Sequence, residues 1–184
     1  MKKNGFTITE LLVVITVIAV LAAVAFVNFP KVKMKLSLLR AAYSFEQNLR
    51  LAQQMALSET SYMDESGNKQ KIDGYGVFLN LNSLGNKKYY IYADKNPGNG
   101  QYDSSDYVVS EFDLATDYPG IKIEEINNTA SSGTSINFSQ TDAKTLISQL
   151  QTGQNSIEVV FSAESDSSIT KSVLVNKVGL IENK

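Results

Sequence analysis

The sequence predicts an α+β protein in which one long N-terminal helix packs on an antiparallel β-sheet head. Three observations carry that reading. Leu11 to Val27 is an apolar run of 17 residues with Thr16 as its one polar member. Leu38, Ala42, Phe45, Leu49, Ala52 and Ala56 then recur at spacings of 4, 3, 4, 3 and 4, the 3.6-residue period of a helix. From Ile72 onward the chain breaks into short runs of strand formers separated by Gly, Asn, Asp and Ser.

Length and composition narrow the chemistry. The 184 residues fit one domain, or one domain with an appendage. There is no Cys, His or Trp. This excludes a disulfide framework, a thiolate nucleophile, a Ser-His-Asp triad and any zinc site built on His or Cys. The net charge of −2 hides an asymmetry. Residues 1–40 hold six cations against one acid, Glu10, a net of +5, so residues 41–184 carry −7. A basic start and an acidic remainder suggest a membrane-associated N-terminus and a soluble body.

As a helix the apolar run rises ~26 Å, close to the hydrocarbon thickness of a bilayer, and Phe6 to Ile8 extend it enough to span. Lys2 and Lys3 precede it and Lys31, Lys33 and Lys35 follow it, so counting charges leaves its orientation open. Two readings compete. In the first, Leu11 to Leu21 is the core of a secretory signal peptide, Ala23-Val24-Ala25 is the cleavage site, and an exported soluble β-rich binding protein begins at Phe26. In the second the helix is retained. Glu10 favours the second, because a carboxylate near a bilayer demands a partner or a function. Gly5-Phe6 marks where the basic segment ends, and helical patterning continues beyond the run, as a discarded leader would not require.

The segment Lys2-Lys3-Asn4-Gly5-Phe6-Thr7-Ile8-Thr9-Glu10-Leu11-Leu12-Val13-Val14-Ile15 resembles the prepilin leader of type IV pilins and type II secretion pseudopilins. The resemblance implies that a membrane peptidase cuts between Gly5 and Phe6 and that Phe6 becomes N-methylated. Glu10 is then the fifth mature residue, where the family has its glutamate. In a packed filament the Glu10 carboxylate of one subunit would pair with the Phe6 amine of its neighbour, since an unpaired buried charge is costly. One departure stands out. Many major pilins have a helix-bending Pro about 22 residues into the mature chain; here that position is Val27 and the proline is Pro30. The kink is then shifted, or the subunit belongs to a minor class.

Beyond Lys31 the helix turns amphipathic. Glu46 and Arg50 stand four apart in the favourable order. No Gly or Pro interrupts residues 31 to 66, so the helix is expected to run from Phe6 to near Ser58–Asp64. The chain thus divides into a leader at 1–5, a transmembrane or filament-core helix at 6–29, an amphipathic half at 30–62 and a β-rich head at 63–184.

In the head, strands are expected at Tyr75–Asn80, Tyr89–Ala93, Tyr107–Phe112, Ile121–Ile126, Ser135–Phe138, Ser156–Phe161 and Lys171–Val175, with a turn at Val178–Ile181 into a last strand. Ala143 to Gln149 reads as a short helical turn. The dense Ser, Thr and Asn at 127–141 and 162–170 read as loops. Strands in succession after one helix give an antiparallel sheet. Tyr75-Gly76-Val77-Phe78, then Tyr90-Ile91-Tyr92-Ala93-Asp94 leading into an Asn/Gly loop, then Ile157 to Phe161 with Val173 to Asn176 and Gly179-Leu180-Ile181 resemble the GspH/FimT type of minor pseudopilin. The absence of Cys argues against the many major pilins that close a C-terminal loop with a disulfide.

Candidate sites in the head are sparse. Asp94, Asn96, Asn99 and Asp103 could offer oxygens to calcium, but the spacing departs from an EF-hand and two carboxylates make a weak site. A hairpin loop built from Pro-Gly and Asn-Gly turns explains the same residues. Asp64-Glu65 and Asp103 with Asp106 are acid pairs of the kind a glycosidase needs across a cleft, though adjacent surface acids are usually only solvated. The reading is of a protein that is not an enzyme and needs no cofactor. Asn127-Asn128-Thr129 and Asn137-Phe138-Ser139 match glycosylation acceptors, a pattern common in Asn/Ser-rich loops. Nucleic-acid binding, known in the subfamily, is disfavoured: Lys69 with Lys71 and Lys87 with Lys88 are the only lysine clusters of an acidic head. Tyr89, Tyr90, Tyr92, Tyr102 and Tyr107 would suit a protein contact if exposed on one face, or alternate into the core. The resemblance implies other pilin or pseudopilin subunits, a prepilin peptidase, an inner-membrane assembly platform and membrane lipid as partners. It places the chain in the bacterial cytoplasmic membrane as a single-pass protein with its head outside the cytoplasm, and then in a filament.

Overall fold

The computed structural model describes residues 5–64, 66–142 and 144–184, with 25–28 described through their backbone alone. The chain divides into two compact units, Met1–Leu36 and Ser37–Lys184. Helix α1, Ile8–Leu57, contributes to both. In the first unit the described chain is residues 5–7 and α1 up to Leu36. The helix runs through Pro30, although proline has no N–H to give the carbonyl four residues back.

In the second unit the rest of α1 supplies one wall of the core. Leu38, Ala42, Phe45, Leu49, Ala52 and Ala56, the stripe read from the sequence, are exposed by 1% or less, and Ala41 joins them. Full burial of each Leu or Phe contributes about 1.5–3 kcal/mol. The helix ends at Leu57 through a left-handed residue, Glu59, whose N–H reaches Ala56 O while Thr60 N–H reaches Met55 O. This paired closure usually uses glycine at the left-handed position, so the sequence gives little warning of it.

The head is two antiparallel sheets and a small hairpin. The hairpin joins β1 (Tyr62–Met63) and β2 (Lys69–Gln70). The five-stranded sheet contains β3 (Ile72–Asn80), β4 (Lys88–Lys95), β5 (Tyr107–Asp113), β7 (Gly133–Ser139) and β8 (Thr145–Ile147), in the order β5-β4-β3-β7-β8. The four-stranded sheet contains β6 (Ile121–Asn127), β9 (Ser156–Ala163), β10 (Asp166–Asn176) and β11 (Ile181–Asn183), in the order β11-β10-β9-β6. A single-turn helix, α2 (Leu114–Asp117), follows β5, its first turn capped by Asp113. Register shifts leave Val109 of β5 and Glu124 of β6 unopposed, so both long edge strands are bulged; the other two edges are three residues long.

The α1 stripe packs against both sheets. Phe45 meets Tyr89 of β4 edge-on at 5.1 Å and Phe161 of β9 at 5.3 Å. Tyr75, Val77 and Leu79 of β3 share that inner face with Tyr89, Ile91 and Ala93. The buried Tyr89 hydroxyl accepts from Asn48 Nδ2 at 2.9 Å. Arg50 and Gln53 donate to the carbonyls of Ile181 and Gly179, holding the C-terminal hairpin to the helix.

Every expected strand is present. Three segments differ from expectation. Thr145–Ile147 is a strand and not a helical turn, because it supplies the hydrogen bonds that β7 lacks on that side, pairing Ile147 with Ile136 and Thr145 with Phe138; Ala143 lies outside the described residues. Residues 162–170 are mostly strand. β9 runs to Ala163 and β10 starts at Asp166, with Asp166 opposite Ala163, Thr170 opposite Ser162, and the Ser162 hydroxyl donating across strands to Glu124. Likewise β7 occupies 133–139 of the Ser/Thr/Asn-rich stretch.

Candidate functional site

Gly5 and Phe6 lie just ahead of α1, and Phe6 is 81% exposed. A Cβ built on Gly5 would meet nothing within 4 Å among the described residues. Nothing within the described chain demands glycine there. The expected leader residues Lys2, Lys3 and Asn4 lie outside the described residues.

Thr7 caps the helix. Its Oγ1 accepts from Glu10 N at 3.3 Å, and Glu10 Oε2 accepts from Thr7 N at 2.9 Å and from Thr7 Oγ1 at 2.8 Å. This is a reciprocal capping box, Thr-x-x-Glu, in which two otherwise orphaned N–H donors are satisfied. The Thr-x-x-Glu pattern is legible in Thr7-Ile8-Thr9-Glu10. Glu10 thus reaches the surface with one oxygen, Oε2, engaged by its own helix start.

From Leu11 to Leu21 the helix has no protein cover among the described residues. Every side chain from Leu11 to Leu21 is exposed. Thr16 turns its hydroxyl to the Leu12 carbonyl, so the one polar side chain in the run is satisfied by the helix itself. Among the described residues this is the one helix long and apolar enough to cross a membrane. Apolar surface bare all round calls for lipid or other helices.

The four calcium candidates lie in and beside the β4–β5 hairpin loop, residues 96–106. Each is engaged in hydrogen bonds there. Asp94 is 3% exposed, and its Oδ2 accepts from Gly100 N at 2.8 Å and Asn137 Nδ2 at 3.3 Å. Asn96 Nδ2 donates to Asp73 Oδ1 at 2.6 Å, and Asn99 Nδ2 donates to Asp103 Oδ2 at 3.2 Å. Asp103 Oδ1 accepts from Ser105 N at 2.8 Å. Among the described residues no three of His, Cys, Asp and Glu are grouped to hold a metal ion. Asp73, which the sequence does not single out, accepts from Gly98 N, and Asp106, read there as an acid pair with Asp103, accepts from Lys95 N and Asp103 N; the two anchor the loop. Burial pushes Asp94 up to about 6, reinforced by the charges of Asp106 and Asp73 and opposed by backbone N–H donors of Gly100 and Asn99. Burial also raises Asp106, whereas the Gly98 N–H holds Asp73 below the usual carboxylate range.

Under this loop lies a second small core. Gly74, Gly76 and Phe78 face away from α1, and Tyr102 packs on Phe78 at 4.6 Å and Tyr92 at 5.4 Å. The glycines make room for it: a Cβ on Gly76 would lie 2.6 Å from the Tyr92 ring, and one on Gly74 2.6 Å from Asn137 Oδ1. The tyrosines of β4 therefore alternate, Tyr89 inward and Tyr90 and Tyr92 outward, while Tyr107 stacks on Tyr62.

The remaining candidates have structural partners. Asp64 accepts from Ser66 and Asn68 N in the β1–β2 turn, and Glu65 lies outside the described residues. Asn137 is buried against Tyr92 and Asp94, unlike an accessible glycosylation acceptor. Lys87 pairs with Glu164 and Lys88 with Glu111, so that lysine cluster is neutralised.

A bare apolar helix that continues into the wall of a two-sheet head defines a pilin-like α+β architecture with the makings of a membrane anchor. Residues 1–26 match the family model described as the prokaryotic N-terminal methylation motif, which supports the likeness of this segment to the prepilins of type IV pilins and pseudopilins. The match ends within α1 and leaves the head uncovered. No curated protein and no solved structure matches the chain.

Proposed function

We propose that this chain is a minor pilin or pseudopilin of the GspH/FimT type. In this reading it is inserted in the cytoplasmic membrane with its head outside, cut between Gly5 and Phe6 by a prepilin peptidase, methylated on Phe6, and built through α1 into a pilus or pseudopilus by a membrane assembly platform. It makes and breaks no substrate bonds. The observation that carries the reading is the junction of an unconstrained Gly5-Phe6, a capped Glu10 and an apolar helix with no protein cover. Glycine at a position with open space around it points to recognition by another molecule. Glu10 Oε1 has no partner within the capping box and is the oxygen assigned to the Phe6 amine of a neighbouring subunit.

The N-terminal mass of the protein recovered from membranes tests this. A chain starting at N-methylated Phe6 supports it. A chain starting at Phe26 refutes it and leaves an exported β-rich domain. Glu10→Ala is then expected to be processed normally but to fail to enter filaments.

A further inference from the structure

We infer that Lys31, Lys33 and Lys35 form a cationic collar that docks the anchor helix onto anionic phospholipid headgroups where it leaves the bilayer. This rests on the membrane-anchor reading and adds to it the lipid class and the residues that select it. Ile8 to Pro30 rises ~34 Å as a helix, slightly more than the hydrocarbon thickness, so the three lysines follow at headgroup level. All three are exposed, and none forms an ion pair among the described residues. Their own helix offers no acid to neutralise them: the sequence has no Asp or Glu between Glu10 and Glu46.

The spacing distinguishes a crossing helix from one lying flat. At about 100° per residue, Lys31 and Lys35 share one side of α1 and Lys33 stands on the other. A helix in the interface plane keeps its cations on one face. Cations on opposite faces suit a helix passing through the headgroup layer, where each lysine lays its stem along apolar surface and lifts its ammonium to a phosphate. Phe29, Val32 and Leu36, exposed beside and between the lysines, supply that surface. The charge balance favours anionic lipid drawn to the collar alone, since residues 41–184 carry −7 and are repelled by an anionic surface.

Spin-labelled lipids test the inference. The full chain, with Lys2 and Lys3 changed to Gln in every sample, is placed in phosphatidylcholine vesicles containing some phosphatidylglycerol. Labelled phosphatidylglycerol is expected in the motionally restricted shell with roughly fivefold preference over labelled phosphatidylcholine, the value for a single lysine near an anionic surface. High salt should erase most of that gap. Lys31→Gln with Lys33→Gln and Lys35→Gln should bring the two lipids level, and the triple change to Glu should reverse their order, with the near-ultraviolet tyrosine signal of the head unchanged. Equal affinity in the lysine-bearing chain, or an undiminished preference in the Gln triple, overturns the collar while leaving the anchor in place. A restricted shell with neither lipid overturns the anchor reading itself.

Discussion

Asp94→Asn should remove a defined part of the pH dependence of head stability. Asp94 is buried beneath the 96–106 loop and titrates near 6 in the folded protein, against an ordinary value of 3.8. Between those values the folded state holds a proton that the unfolded state has released. Stability therefore falls as pH rises through that window, the opposite of the usual carboxylate behaviour. A rise of about two units corresponds to about 3 kcal/mol at most, present below pH 4 and lost above pH 6. The Gly100 N–H that supports the ionised form keeps the loss from growing further. Burial of Asp106 adds a slope of the same sign, so the difference between the native chain and Asp94→Asn isolates Asp94. Asp73, Asp64, Asp103 and Asp142 are lowered, and their stabilisation disappears only as the pH falls below the ordinary carboxylate range. The assay is thermal or urea unfolding of the full chain in mild detergent, followed by the near-ultraviolet tyrosine signal from pH 4 to pH 7. The stability gap between variant and native protein should widen in the variant's favour as pH rises. A gap that does not change with pH would refute the reasoning.

Three further outcomes follow from the packing. Phe45→Ala removes the ring that bridges Tyr89 and Phe161 and should cost about 3–5 kcal/mol in the same unfolding assay. Gly76→Ala forces a Cβ against the Tyr92 ring and the Ile136 carbonyl and should cost about 1–3 kcal/mol, with a change in tyrosine near-ultraviolet dichroism. Thr7→Val keeps the shape but loses both hydroxyl contacts of the capping box. It should be cut at Gly5-Phe6 like the native chain yet enter filaments less efficiently, and Thr7→Ser should restore entry; equal entry of the Val variant would show that the cap plays no part in assembly.

The sequence made the helical half of the fold readable because burial there obeys one period. The six stripe residues from Leu38 to Ala56 are the ones that α1 buries. Strand cores announced themselves through Tyr, Val and Ile. Composition misled where polar side chains are satisfied across strands, as with Ser162, and where a short segment takes its structure from a neighbour, as Thr145–Ile147 does from β7. Gly5, Phe6 and Glu10 stand out in the sequence because they fall within one short segment at the start of the apolar run. The 96–106 loop was only half visible. Asp94 and Asp103 stood out, but Asp73 arrives from β3 and Ser135 from β7, contacts set by sheet register and not by local spacing.

The edges of the two sheets bear on what happens when many copies are crowded together. A membrane surface or a filament holds heads at high local concentration, where any long, flat strand edge would zip onto its neighbour through backbone hydrogen bonds. Here β8 and β11 are too short to template such pairing, and the extra residues Val109 and Glu124 bend β5 and β6 out of line. Crowded heads are therefore steered to meet through side chains, contacts that can form and separate, and the irreversible stacking that would jam a polymer is disfavoured at these four edge strands.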